Sequence, residues 1–247
     1  MSHIHIQDGV LSIWLIIIGY LLIGLYLIFL FFNKKKFIAN KKIALVGVIS
    51  ALMLITMTVE IIPPAYHMNM AVLSGIVLGP VLSILAIFVA NIILAFLGHG
   101  GISVIALNTI VVSIEAILGF WGFKLLNSKV KNIFISVFLA TFLALFASAW
   151  ISAGVVYLGT NGVESPFHNH EHAIETVHEH SSVEHHNANS VSNHNAIDFN
   201  LGRFLFAILS LGIFGWVIEA VITAFMLKYI KQVKPDIIEY DISPGIE

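Results

Sequence analysis

Twelve histidines and no cysteine are the residues through which this chain could do chemistry. Neutral imidazoles bind zinc, copper, nickel and cobalt ions, and a donor set without sulfur turns away from the softest of them. The missing cysteine also removes disulfides, thiolate metal sites and thiol nucleophiles. Eight histidines, His168, His170, His172, His178, His180, His185, His186 and His194, crowd the stretch Gly159–Asn200, which is otherwise rich in Asn, Glu and Ser. Such a composition cannot build a core, so a disordered loop is expected there. Its imidazoles would act as a many-site collector of metal ions. His3 and His5 lie in Ser2-His3-Ile4-His5-Ile6-Gln7-Asp8-Gly9, with a free amine and early backbone amides within a few atoms' reach. Amine, deprotonated amide and imidazole nitrogens form the planar set favoured by Ni(II) and Cu(II). His67 closes the predicted turn Pro63-Pro64-Ala65-Tyr66-His67, and His99 sits in Gly98-His99-Gly100-Gly101. No H-E-x-x-H spacing occurs, which excludes the usual zinc protease. No G-x-x-x-x-G-K-[ST] stretch occurs either, so the chain does not hydrolyse ATP by that route.

The elements that must carry these groups are apolar. Of 247 residues, 58% are hydrophobic and 11% charged, and the mean hydropathy is +0.95. A soluble domain carries roughly 25% charged residues, so an ordinary globular enzyme is excluded. A net charge of −2 offers no electrostatic footprint for nucleic acid. Apolar runs long enough to span a bilayer cover Val10–Phe32, Ile43–Ile62, Ala71–Leu97, Ile102–Phe123, Ile133–Leu158 and Phe204–Leu227. The N-terminus lacks the basic region and small-residue cleavage pattern of a signal peptide. Lysine-rich loops face the cytoplasm, and all lysines fall on one side only if Ala71–Leu97 is two helices joined by a cytoplasmic turn at Gly79-Pro80. Proline after glycine is a credible helix break. The stretch His67–Leu78 is then only about 18 Å long at 1.5 Å per residue, so that helix must be short, tilted or shielded by protein.

The expected fold is therefore all-α: a polytopic membrane bundle of about seven helices, N-terminus extracytoplasmic and C-terminus cytoplasmic, in the cell (inner) membrane. Residues 1–158 are expected to hold six helices and an N-terminal metal-binding tail, 159–200 the His-rich extracytoplasmic loop, and 201–247 the seventh helix with a short cytoplasmic tail. Every histidine then lies outside and every lysine inside, which implies metal arriving from outside. Glu60, Glu115 and Glu219 lie within or near the spans, where ionisable groups are functional candidates; interhelical hydrogen bonding or protonated carboxyls is the preferred reading. Met53, Met57, Met68 and Met70 read as core packing rather than a thioether ladder. Gly75/Gly79, Ala86/Ala90 and Ala140/Ala144 with Ser148 have the spacing of close helix contacts in lipid.

Three ordered motifs carry a family resemblance. Ile4-His5-Ile6-Gln7-Asp8-Gly9-Val10-Leu11-Ser12 is similar to the Met-His-Ile-Pro-(Asp/Glu)-Gly-hydrophobic-Leu-Ser start of the CbiM/NikM family. His67-Met68-Asn69-Met70-Ala71-Val72-Leu73-Ser74-Gly75-Ile76-Val77-Leu78-Gly79-Pro80 resembles its His-Leu-Leu-Gly…Leu-Gly-Pro segment. Leu97-Gly98-His99-Gly100-Gly101-Ile102-Ser103 with Ala106-Leu107-Asn108 resembles its Phe-Gly-Asp-Gly-Gly-Leu-Thr…Gly-Ala-Asn. These proteins are the substrate-binding S components of energy-coupling-factor (ECF) transporters for cobalt and nickel.

The resemblance implies a seven-helix bundle whose N-terminal tail folds into the outer mouth. The transported Ni(II) or Co(II) would be held by the terminal amine and backbone, the first His and His67. Here His5 lies further from the amine than in the family, Gln7 replaces Pro, and His99 replaces Asp. Removal of Met1 would leave Ser2-His3 to mimic the family terminus, whereas a retained Met1-Ser2-His3 is itself an amine–amide–amide–imidazole chelator; His3 and His5 both stay candidates. His99 is a fourth ligand, a partner orienting Asn108 or a ligand, or an exposed loop residue. The implied partners are membrane lipid, a coupling transmembrane protein, separate ATPase subunits and a small accessory membrane subunit. Nickel is modestly favoured over cobalt, because planar amide ligation suits Ni(II). The competing reading is an ion-coupled secondary transporter or channel for zinc or copper, which needs charged or His residues through the membrane depth to guide the ion. A metal sensor would need a cytoplasmic signalling domain.

Overall fold

A computed structural model describes residues 13–34, 40–58, 60–62, 66–98, 101–160, 201–234 and 237. The described elements are helices α1 (Ile13–Phe32) and α2 (Asn40–Thr58), strands β1 (Glu60–Ile62) and β2 (Tyr66–His67), then α3 (Ala71–Phe96), α4 (Ile105–Lys129), α5 (Ile133–Thr160) and α6 (Leu201–Val233). Five of these, α1, α3, α4, α5 and α6, contain stretches long and apolar enough to cross a membrane; α2 adds the shorter apolar segment Lys42–Thr58. Helices are the form in which such sequences satisfy their own backbone hydrogen bonds without water. The chain is a multi-pass helical membrane bundle.

The packing is sequential. α3 lies against α4, α4 against α5, α5 against α6, α2 against α3, and α1 against α4. Small residues set the closest approaches, as their spacing led us to expect. Ala86, Ala90, Ala140, Ala144 and Ser148 are buried, and a Cβ placed on Gly75 would stand 2.2 Å from the carbonyl oxygen of Ala116. Met53, Met57 and Met70 are buried in the core, consistent with packing roles. Trp14 and Trp150 are exposed, at 73% and 52%. α1 is mostly open to its surroundings and is tethered by Tyr20, whose hydroxyl donates to the Ile102 carbonyl at 2.8 Å. The Tyr26 hydroxyl donates to the Val81 carbonyl, also at 2.8 Å.

Within α3, Gly79 has φ 78° and ψ 167°, a non-helical conformation with helix on either side. Glycine reaches that region without a Cβ penalty, and Pro80 cannot donate the hydrogen bond that would bridge the break. The helix break expected at Gly79-Pro80 is present. Its first segment, Ala71–Leu78, is about 12 Å long at 1.5 Å per residue. All of its residues from Ala71 to Val77 are buried. The segment is thus shielded by protein, which is why so short a helix is tolerated.

Two sequence expectations are corrected. The second apolar run does not stay helical to Ile62; α2 ends at Thr58, and Glu60–Ile62 is a strand. His67 is not in a turn but ends β2, with antiparallel pairing of Glu60 to His67 and Ile62 to Tyr66. Pro63 and Pro64 account for both, since a residue before proline is pushed toward extended backbone and proline cannot extend a helix. Hydropathy alone does not separate a buried strand from the end of a helix.

Candidate functional site

His67 is the candidate ligand on which the structure bears. Met1, Ser2, His3, His5, His99 and the eight histidines from His168 to His194 lie outside the described residues. Among the described residues, no group of three or more His, Asp or Glu side chains is arranged to hold a metal. A site with three or more such ligands that includes His67 would draw at least one of them from outside the described residues.

The local frame of His67 is well defined. Strand β2 ends at His67, and α3 begins at Ala71, so Met68, Asn69 and Met70 connect strand to helix. Asn69 and Met70 are 0% and 1% exposed, and Met70 takes the left-handed conformation with φ 56°. That region is uncommon for a residue with a side chain and costs on the order of 1–3 kcal/mol unless the surroundings impose it. Non-helical backbone inside a membrane bundle is tolerated only where protein satisfies its peptide groups.

Two helices supply that satisfaction. The Asn69 and Met70 backbone N–H groups both donate to Glu219 Oε1 of α6, at 3.3 and 3.1 Å. The Asn69 side-chain amide donates to Glu115 Oε2 of α4 at 3.1 Å, while its Oδ1 accepts from the Ala71 N–H at 2.7 Å. Asn69 thereby caps α3, which otherwise starts with unsatisfied N–H groups. The Glu219 carboxyl sits at that helix N-terminus, where the backbone dipoles favour negative charge. An unsatisfied buried donor costs about 1–3 kcal/mol, so Glu219 offsets two such penalties.

Around this joint the packing is aromatic and polar. Trp216, 0% exposed, meets Phe142 and Phe146 edge-on with centroids 6.4 and 5.9 Å apart, and Met68 packs on the same cluster. Thr223 donates to the Met70 sulfur at 3.7 Å. One face of α6, Trp216, Glu219 and Thr223, thus follows the connecting segment residue by residue. Glu115 Oε1 and Ser148 Oγ are buried beside one another, and Ser152 Oγ is buried as well.

Glu115 and Glu219 behave as the hydrogen-bonding carboxylates preferred from sequence. Asn69 was missed; the signal was an Asn two residues before a predicted apolar helix, a capping residue type. Glu60 contributes here through backbone pairing with His67.

The fold is a multi-pass helical membrane bundle in which a buried, carboxyl-held connection leads from a histidine into a broken helix. The chain belongs to the CbiM family, the cobalt uptake substrate-specific transmembrane region, whose family model matches residues 5–237. It is a membrane component of metal uptake. Two solved structures are similar in fold. One, described as a transition metal transporter, has a TM-score of 0.68 and 20% identity, covering 93% of each chain. The other, a truncated transition metal transporter, has a TM-score of 0.66 and 19% identity, covering 93% of this chain and 99% of that one. No curated protein sequence matches.

Proposed function

We propose that the protein is the metal-binding subunit of an ECF-type ATP-driven uptake transporter, with Ni(II) as the preferred substrate and Co(II) as the alternative. Family membership supports metal uptake. The observation that carries the site is His67 at the end of β2, leading into a buried segment of the family's His…Gly-Pro motif. His67 supplies one imidazole. The amine and backbone of Met1 or Ser2, with His3 or His5, supply the planar nitrogen donors, and His99 adds a ligand or orients one. Seven crossings, with the N-terminus outside, bring the tail to the face from which metal arrives. Residues 1–158 and 201–247 form the membrane part, and 159–200 the loop between them.

Divalent metals shed water reluctantly, so a preformed chelate provides both affinity and geometric selection. Release then requires reprotonating the ligands or moving the bundle. Energy for that comes from separate ATPase subunits through a coupling membrane protein, with a small accessory membrane subunit completing the complex.

The testing measurement is metal content of the purified full-length protein against a variant lacking Ser2–His5. Nickel and cobalt retention is expected to fall to background in the variant while its thermal midpoint without metal is unchanged. Equal retention would refute the tail as a ligand source. The His-rich loop has a different role, that of collecting ions. Deleting residues 168–194 is expected to leave the tight stoichiometry intact and remove the weakly bound ions seen by titration calorimetry. Loss of the tight ion would place the site in the loop instead.

A further inference from the structure

We propose that Glu219, and Glu115 acting through Asn69, are positioning residues that set the direction from which His67 meets the metal. This rests on the reading of His67 as a ligand and extends it to the groups that orient it. His67 is separated from Asn69 by one residue, so the backbone anchored at Asn69 and Met70 is the backbone that aims the imidazole.

The anchor has three parts, all meeting at Asn69. Glu219 Oε1 accepts from two consecutive N–H groups, Glu115 Oε2 holds the Asn69 side chain, and Asn69 caps Ala71. Together they hold Met70 at φ 56°, a conformation that a side-chain-bearing residue leaves when its partners are removed. Glu115 and Glu219 are also the two carboxylates carried by the described helices, and both are spent on this joint. Carboxylates inside a membrane bundle are costly. Apolar side chains at these two positions would leave the strand-to-helix connection without acceptors. The carboxylates come from different helices and grip adjacent residues, so a shift of α6 relative to α4 would turn the segment that bears His67.

The test uses the purified full-length protein and four variants: Glu219→Ala, Glu219→Gln, Asn69→Ala and His67→Ala. Each is titrated with Ni(II), its d–d absorption band is recorded, and its thermal midpoint is measured without metal. Glu219→Ala and Asn69→Ala are expected to weaken nickel binding about 10–100-fold, the usual effect of removing a group that orients a ligand, and to shift the band. Glu219→Gln keeps a carbonyl acceptor for both N–H groups and is expected to restore affinity and band. A purely structural role would lower the midpoint while leaving affinity and band of the folded protein at wild-type values; that result in both Glu219→Ala and Asn69→Ala, beside lost binding in His67→Ala, would overturn the inference alone. Should Glu219→Ala not fold, Asn69→Ala decides by the same criterion. Wild-type binding in His67→Ala would overturn the ligand assignment and the inference with it.

Discussion

His67→Ala is expected to weaken nickel or cobalt binding by more than about 100-fold, beyond the 10–100-fold that loss of an orienting partner produces. Among the described residues, no other histidine stands near the joint, and no three ligating side chains form a group that could replace it. A four-nitrogen set that loses one imidazole must accept water or change geometry, and Ni(II) gains most from planar nitrogen ligation. The substitution keeps the hydrogen bonds that anchor the connecting segment at Asn69 and Met70. Its thermal midpoint without metal should therefore stay within a few degrees of wild type. Elemental analysis of the purified protein and a nickel titration read the first quantity, and a melting curve reads the second. Unchanged metal content would remove His67 from the site.

The second large effect is structural. Gly75→Ala is expected to destabilise the bundle by about 1–3 kcal/mol, the range for overpacking a tight contact. A Cβ there would stand 2.2 Å from the Ala116 carbonyl oxygen and 2.9 Å from its carbon. These are backbone atoms of α4, which cannot rotate aside, so the two helices must separate. Gly24 and Gly47 provide the comparison, since a Cβ at either meets nothing within 4 Å. Gly24→Ala and Gly47→Ala should raise stability by up to about 1 kcal/mol, because alanine is the better helix former. One chemical change with opposite signs at different positions separates close packing from helix propensity, and thermal unfolding in detergent measures both. Equal effects at all three positions would show that α3 and α4 do not touch as described.

The spans were legible because hydropathy is a local property: twenty or so apolar residues seek a bilayer whatever follows them. Each of the six predicted runs holds a helix, the second ending early at Thr58, and the break at Gly79-Pro80 was readable from two residue types whose backbone limits are intrinsic. The family was legible because its motifs are short and ordered, and the match over residues 5–237 confirms it. Less legible was the region around His67. The apolar run to Ile62 hid a strand, since Ile-Ile suits either form until Pro63-Pro64 is weighed.

Sequence by itself determined that this is a membrane bundle with its chemistry concentrated in histidine, that Gly79-Pro80 interrupts a helix, and that Glu115 and Glu219 needed partners. Which partners was settled only in three dimensions. Asn69 meets carboxylates 46 and 150 residues away, and the first segment of α3, Ala71–Leu78, is too short to span a bilayer on its own. Burial of Ala71–Val77 and the left-handed turn at Met70 follow from α4 and α6 closing around one segment. Local pattern records what each residue prefers; the long-range packing of helices decides which peptide groups are left to be satisfied, and by whom.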